Sequence, residues 1–455
     1  MLTFISEKII GPVLPVFLVT AGLYMNICLG FFPFTKANFI IGSLFHKSHS
    51  KGVTPLKALC VALAGTLGVG NIVGVAVAIH TGGPGALFWM WISAVFSMIL
   101  KYGETVLALK HQKEVYVVQP PSQKESSDNC HAHKLVGGAM YFIKSKPIAI
   151  LFALLCIASS FTVGNLLQAN AVGESFRDVF DIPEQITGIL LAAITFLVIF
   201  RGTDRITAFC SVTVPLLSLG YIIMSLTVII KNFTLLPSVF YTILKSAFSL
   251  QSLQGGFLGS ALYISLKTGF AKGLITNEAG CGTAPIAHAS AFNVRPVDQG
   301  FLGIIEVFFD TVILCTMTGL VILLSIEKYP SLTGITLVNK AFGETFGNAA
   351  GILLSVAVFF FVLATLVGWS FYGRSALEYF TQSRRIGTVY CLLFSITALI
   401  GSIGAADMIW TLSDITCGLM TFISTGSILV YSRDIKKETD AFFISKKATV
   451  KRKRR

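Results

Sequence analysis

Residues 64–71, A-G-T-L-G-V-G-N, constrain this chain more than any other stretch. They interrupt an apolar segment, 55–79, that is otherwise long enough to cross a bilayer as one helix. Each glycine weakens a helix by up to about 1 kcal/mol relative to alanine, and hydrocarbon holds no water to repair lost backbone hydrogen bonds. A break at that depth has to face a cavity lined by protein. Broken helices of this kind let secondary transporters present amides and carbonyls to a substrate and its coupling ion. Close helix packing through small residues is the competing reading.

Composition fixes the class. The 455 residues are 54% hydrophobic and 13% charged, whereas a soluble domain carries about 25% charged residues. The chain reads as an all-α polytopic membrane protein. Apolar segments fall near 9–31, 55–79, 84–109, 147–168, 185–201, 206–230, 241–273, 300–326, 350–373, 386–403 and 407–431, eleven in all. The first lacks the basic lead and small-residue site of a cleavable signal peptide, so it is expected to remain as a helix. The nine cysteines are scattered without a C-x-x-C pair, which suggests neither a disulfide framework nor zinc. Cys130, His131 and His133 lie in a polar loop without further ligands and are not taken as a metal site.

The net charge of +13 would suggest nucleic acid in a soluble protein. Here its distribution gives orientation, and no nucleic-acid partner is expected. Lys36, Lys47, Lys51, Lys110, Lys113, Lys124, Lys134, Lys144, Lys146, Arg201, Arg205, Arg295, Arg384, Arg385 and the tail fall in one set of alternating loops. Only Lys8, Arg177, Lys231, Lys328 and Lys340 fall in the other. The positive-inside rule places the first set in the cytoplasm, with the N-terminus outside and the C-terminus inside. The basic tail, ending K-R-K-R-R, is either a topology anchor or a contact for anionic lipid. Residues 112–134 read as a flexible cytoplasmic connector.

After the first helix, ten segments divide as five plus five. The expected units are 1–54 (extra helix and loop), 55–230 (first repeat), 231–432 (second, inverted repeat) and 433–455 (basic tail). A glycine-rich run at 254–259, Q-G-G-F-L-G, in the middle of the seventh segment mirrors the break at 64–71. Interrupted helices in corresponding places of two opposed halves point to an inverted-repeat transporter.

A broken helix offers free amides to a carboxylate and free carbonyls to Na⁺ or an ammonium. Asp310 is the clearest acid at membrane depth; it reads either as a proton or ion site or as a structural partner. Gln168, Asn165 and Asn170 either bind substrate or join helices. Thr365 is a candidate hydroxyl for an ion, although threonine also bonds back to its own helix. A channel also uses glycine-lined breaks, but filters repeat across subunits and this chain carries a single inverted pair. A membrane enzyme fits less well, since no H-E-x-x-H or G-x-S-x-G motif is present. Glu104 lies near a cytoplasmic helix end beside Lys101, its i,i+3 partner.

Several runs together resemble the alanine or glycine:cation symporter family of the amino acid-polyamine-cation superfamily. The most specific is T-N-E-A-G-C-G-T-A-P-I-A-H-A at 276–289. Others are G-V-G-N-I-V-G-V-A-V-A-I-H-T-G-G-P-G-A-L-F-W-M-W from Gly68, G-N-L-L-Q-A-N from Gly164, F-D-T-V-I-L-C-T-M-T-G-L from Phe309 and G-W-S-F-Y-G from Gly368. The resemblance implies a leucine-transporter-like fold, two inverted five-helix repeats preceded by one extra helix. It also implies import of a small neutral amino acid, alanine or glycine, with Na⁺ or, alternatively, H⁺.

Carried onto matching positions, the resemblance assigns substrate binding to Thr66, Gly68, Gly70, Asn71, Gln168 and Trp369. It assigns sodium to carbonyls near Ala64, Leu67 and Phe361 and to the Thr365 hydroxyl. Asn277, Glu278 and Gly280 lie at a cytoplasmic helix end expected to be too far from the midplane to touch substrate; they are assigned to an inner gate, with helix termination or folding as the alternative roles. No organic cofactor is expected, and a monomer in the plasma (inner) membrane is the expected working unit. The chain departs from the family pattern at Ala364, where a serine hydroxyl is usual, and at Ala139, Lys272 and Ile423-Ser424.

Overall fold

Helix boundaries follow local chemistry. Thr54 caps the Lys57 amide with its hydroxyl, and Pro55 occupies the first turn, where its missing N–H costs nothing. The same proline start recurs at Pro147, Pro237, Pro285 and Pro296. The computed structural model describes residues 10–45, 52–118, 131–249, 261–404 and 406–453.

Its principal helices are α1 (Gly11–Cys28), α2 (Pro55–Thr66), α3 (Val73–Gly82), α4 (Gly85–Lys110), α5 (Lys146–Phe161), α6 (Leu167–Phe180), α7 (Glu184–Ile199), α8 (Thr203–Lys231) and α9 (Leu236–Ala247). They continue with α10 (Ala261–Asn277), α11 (Ala284–His288), α12 (Pro296–Val307), α13 (Cys315–Leu323), α14 (Gly334–Phe346), α15 (Ala349–Glu378), α16 (Arg384–Ile403), α17 (Ala406–Val430) and α18 (Ser432–Lys453).

Among the described residues, eight helices are long and apolar enough to cross a membrane, and the α2–α3 pair, bent by 66°, makes a ninth. The shorter apolar helix α7 covers the segment expected near 185–201. The segment expected as one span over 241–273 is instead two helices, α9 and α10. Helix α9 is amphipathic: Val239, Ile243 and Ala247 are buried while Phe240, Tyr241 and Leu244 are exposed. It therefore lies against α4 instead of extending the span. The run 254–259 falls outside the described residues.

Helix α4 is the most buried span and packs against α1, α10 and α12. The opposite condition holds at the periphery. Helix α7 exposes Ile186, Ile189, Leu190 and Leu197, and α8 exposes Val212, Leu216, Leu219 and Ile223. Apolar stripes this extensive suit hydrocarbon and not water. At the centre, α15 presses Gly368 onto α2, where a Cβ would come within 2.7 Å of the Gly65 amide nitrogen. Only glycine lets these two backbones approach so closely.

Two connecting regions are more ordered than expected. The ends of the loop at 112–134 pair as antiparallel strands β1 (Lys113–Val118) and β2 (His131–Val136), with Lys113 opposite Val136. The run K-E-V-Y-V-V favours an extended chain over a flexible one. Residues 119–130, with Cys130 among them, are outside the description. The basic tail forms α18, docked on α4 through Tyr102 Oη to Thr439 Oγ1 at 2.6 Å and Lys110 to Glu438 at 2.9 Å.

Candidate substrate and ion site

Helix α2 stops at Thr66. Leu67 leaves helical geometry (φ −77°, ψ 82°), Gly68 is extended (φ −134°, ψ −149°), and a 3₁₀ turn at Val69–Asn71 leads to α3. The freed amides are taken up by side chains, since buried backbone groups need partners. Gly68 N donates to Asn71 Oδ1 at 3.2 Å, and Val69 N donates to Gln168 Oε1 at 3.1 Å. Carbonyls at and just before the end of α2 accept from α15. Trp369 Nε1 donates to Gly65 O at 3.2 Å and Tyr372 Oη to Ala62 O at 3.3 Å.

Two π-helical turns, a feature often found at functional sites, aim further polar groups at this break. The turn at Thr162–Leu166 joins α5 to α6 and sets Gln168. There Gly164 lies directly against the Trp369 ring, leaving no room for a side chain. The turn at Phe308–Leu314 joins α12 to α13 and sets Asp310. Both Asp310 oxygens accept: Oδ1 from Asn71 Nδ2 at 2.7 Å and Oδ2 from Thr311 Oγ1 at 2.8 Å. Thr318 donates to Asn71 O at 2.8 Å and pairs with Tyr221 Oη at 2.7 Å.

On the other side of the break, Thr365 Oγ1 lies 3.0 Å from Leu67 O and 3.0 Å from Phe361 O. Three oxygens thus converge, and the hydroxyl's single hydrogen serves two carbonyls. Beside them is a void of about 10 Å³ lined by Leu67, Gly68, Asn71, Tyr221 and Phe361 among others. That is room for about one water-sized sphere. Ala364 is buried next to Thr365 and adds no oxygen.

The sequence-assigned residues Gly68, Asn71, Gln168, Trp369, Leu67, Phe361 and Thr365 therefore meet at one point. Thr66 is buried too, but its hydroxyl turns back to Leu63 O at 3.4 Å. Ala64 is buried in the last turn of α2, beneath Gly368. Gly70 faces Thr276: a Cβ there would sit 3.4 Å from Thr276 Oγ1, an ordinary contact.

That contact corrects the expected distance of 276–289 from the first break. The chain leaves α10 at Asn277 and restarts as α11 at Ala284, with Glu278, Gly280 and Gly282 at φ +50°, +78° and +84°. This second break runs alongside the first. Helix α10 packs on α3 and α11 packs on α2. Its side chains cap it locally: Asn277 Oδ1 accepts from Ala279 N at 3.1 Å, and Thr283 donates to Glu278 Oε2 at 2.7 Å. Asn277 Nδ2 also donates to Thr311 at 3.1 Å, which reaches the Asp310 turn. Gly280 O accepts from Thr425 at 3.1 Å. Asn277 thus borders the site through Thr311, and Glu278 lies within reach of Trp369, whereas Gly280 packs against Leu18, Leu100 and Thr425.

The model of the sodium:alanine symporter family matches residues 1–455. The chain belongs to the sodium:alanine symporter family. Among curated relatives it is similar to the sodium/alanine symporter AgcS of Methanococcus maripaludis, at 31% identity over 96% of this chain and 96% of that one. It is also similar to the probable sodium/glutamine symporter GlnT of Bacillus subtilis, at 30% identity over 97% of this chain and 90% of that one. Among solved structures, MhsT in complex with L-phenylalanine aligns at 12% identity with a TM-score of 0.59, over 86% of this chain and 93% of that one. The fold is leucine-transporter-like, and membership of this symporter family makes the chain a multi-pass transporter and not an enzyme. Its family couples amino-acid movement to sodium.

Proposed function

We propose that this family member imports a small neutral amino acid, alanine or glycine, together with Na⁺, by alternating access around the paired breaks. The observation that carries the reading is the meeting of Thr365 Oγ1 with Leu67 O and Phe361 O at 3.0 Å each. A carbonyl at unwound backbone, here Leu67 O, is the kind of oxygen that coordinates Na⁺ in transporters, and the Phe361 carbonyl of α15 and the Thr365 hydroxyl add two more. The amide side of the same break, Gly68 N and Val69 N with Asn71 and Gln168, suits a substrate carboxylate. Trp369, fully buried between α2 and the Gly164 turn, leaves little room for a long side chain. That favours alanine or glycine over a glutamine-sized substrate.

On this reading the first break is closed around a void far smaller than an amino acid, while the second borders a cavity of about 490 Å³ lined by Leu167, Lys272, Glu278, Ala279, Cys281 and Asp414 among others. Substrate in that cavity then reaches the first break only when α10–α11 or α15 moves, which gives Asn277, Glu278 and Gly280 their gating role. The repeats at 55–230 and 231–432 would rock about the site within a monomer in the plasma (inner) membrane. The lysine and arginine bias supports an outside N-terminus and a cytoplasmic C-terminus. The test is uptake of labelled alanine, glycine and glutamine into proteoliposomes, with Na⁺ and proton gradients imposed separately. Alanine or glycine uptake driven by Na⁺ alone is expected; uptake driven only by the proton gradient, or confined to glutamine, would overturn the proposal.

A further inference from the structure

Beside the second break, Lys101 and Glu104 of α4 and Glu306 of α12 are completely buried. Lys101 Nζ lies 3.3 Å from Glu306 Oε1 and 3.8 Å from Glu104 Oε1. These three atoms face one another, are shielded from solvent, and make no well-directed hydrogen bond. The far oxygens are satisfied: Glu104 Oε2 accepts the Gly282 amide at 3.1 Å, and Glu306 Oε2 pairs with His288 Nε2 at 2.9 Å. The i,i+3 pair expected at a helix end is therefore an interior cluster fastened to the second break.

Its charge can be counted. Gln299 Nε2 reaches both Pro55 O, at 3.3 Å, and His288 Nδ1, at 2.7 Å. An amide nitrogen facing a carbonyl is a donor, so His288 Nδ1 accepts and the ring carries its one proton on Nε2, toward Glu306. The imidazole is neutral. One ammonium then faces two carboxylates, leaving one negative charge uncompensated in the interior. A buried charge without a partner is resolved by neutralisation. A metal ion would need a shell of oxygens, but only two are free here, next to a repelling ammonium. A proton needs one.

We propose that Glu104 and Glu306 hold one proton between them, forming a proton-binding site distinct from the ion site at Thr365. Other titratable groups facing the pair are Glu278 from the second break, His288 from α11, Asp310 from the π-helical turn after α12, and Tyr372 from α15. Most of these add negative charge when ionised, which strengthens the demand for a proton. With the proton bound, Glu104 keeps hold of the Gly282 amide. Without it, the two carboxylates repel across Lys101 and that fastening loosens.

The experiment is infrared difference spectroscopy of the purified protein at neutral pH, which needs no substrate and does not depend on the transport reading. The wild-type spectrum minus that of Glu104→Gln is expected to contain one carbonyl stretch of a protonated carboxylic acid. Glu306→Gln is expected to lose the same band, because either amide leaves a single carboxylate for Lys101. Each variant serves if the other does not fold, with monodisperse elution as the check. A difference spectrum without that band, or a band that survives in a folded variant, would overturn the proposal.

Discussion

The hydroxyl of Thr365 and the carbonyl of Leu67 lie 3.0 Å apart, although 298 positions separate them in the chain. That contact joins the first broken helix to α15 at the point where α2 has released its carbonyls. A cation placed among Leu67 O, Phe361 O and Thr365 Oγ1 would displace a hydrogen bond and not a packed side chain. Ion binding and the register between α2 and α15 are therefore expected to be linked.

Ala364 sits one residue before Thr365 and is buried. Ala364→Ser is expected to supply a further oxygen and to lower the Na⁺ concentration giving half-maximal uptake, which titration of uptake against Na⁺ will read. An unchanged half-saturation would place residue 364 outside the ion's shell.

Gly68 and Gly70 are expected to differ. A Cβ at Gly68 would stand 2.6 Å from Gln168 Oε1 and 2.8 Å from Thr365 Oγ1, whereas one at Gly70 meets only ordinary contacts. Overpacking of this kind costs about 1–3 kcal/mol. Gly68→Ala is expected to be made and inserted but to lose uptake, while Gly70→Ala retains it. Equal activity of the two would remove Gly68 from the site.

Gln168 Oε1 holds the Val69 amide. Its loss leaves a buried donor unpaired, at about 1–3 kcal/mol. Gln168→Ala is expected to raise the apparent KM for substrate about tenfold, as 1.4 kcal/mol would. Gln168→Glu, which keeps an acceptor, is expected to recover part of the loss. Unchanged kinetics in Gln168→Ala would make the residue a helix contact only.

Asp310 accepts from Asn71 and from Thr311, a structural use of the carboxylate. Asp310→Asn is expected to keep uptake driven by Na⁺, with a loss of about 1 kcal/mol from the weaker neutral hydrogen bonds. Abolition of uptake in a folded Asp310→Asn protein, together with a response to an imposed pH gradient in the wild type, would point to proton coupling through this residue.

The first break was legible because three glycines within six positions of an apolar segment oppose a helix locally. The second was legible only as one option, helix termination within 276–289, for two reasons. The run at 254–259 is richer in glycine, while the break at Glu278–Thr283 is held by side chains that cap it internally, which periodicity does not reveal. The local signs were two glycines spaced by one residue and Pro285 restarting the helix. The i,i+3 spacing of Lys101 and Glu104 was visible, but their burial and the approach of Glu306 depend on how α12 packs on α4. The Leu67–Thr365 contact was reachable only through family resemblance, since spacing says nothing about residues 298 apart. The amphipathic α9 was merged with its neighbour because both are rich in apolar residues.

The central claim is that the oxygens of Leu67, Phe361 and Thr365 bind the coupling ion. The most direct measurement is alanine uptake into proteoliposomes as a function of Na⁺ for wild type and Thr365→Val, an isosteric change that removes one oxygen. Saturable stimulation by Na⁺ in the wild type and its loss in a folded Thr365→Val protein are expected. Stimulation by Na⁺ that is unchanged in Thr365→Val would contradict the account.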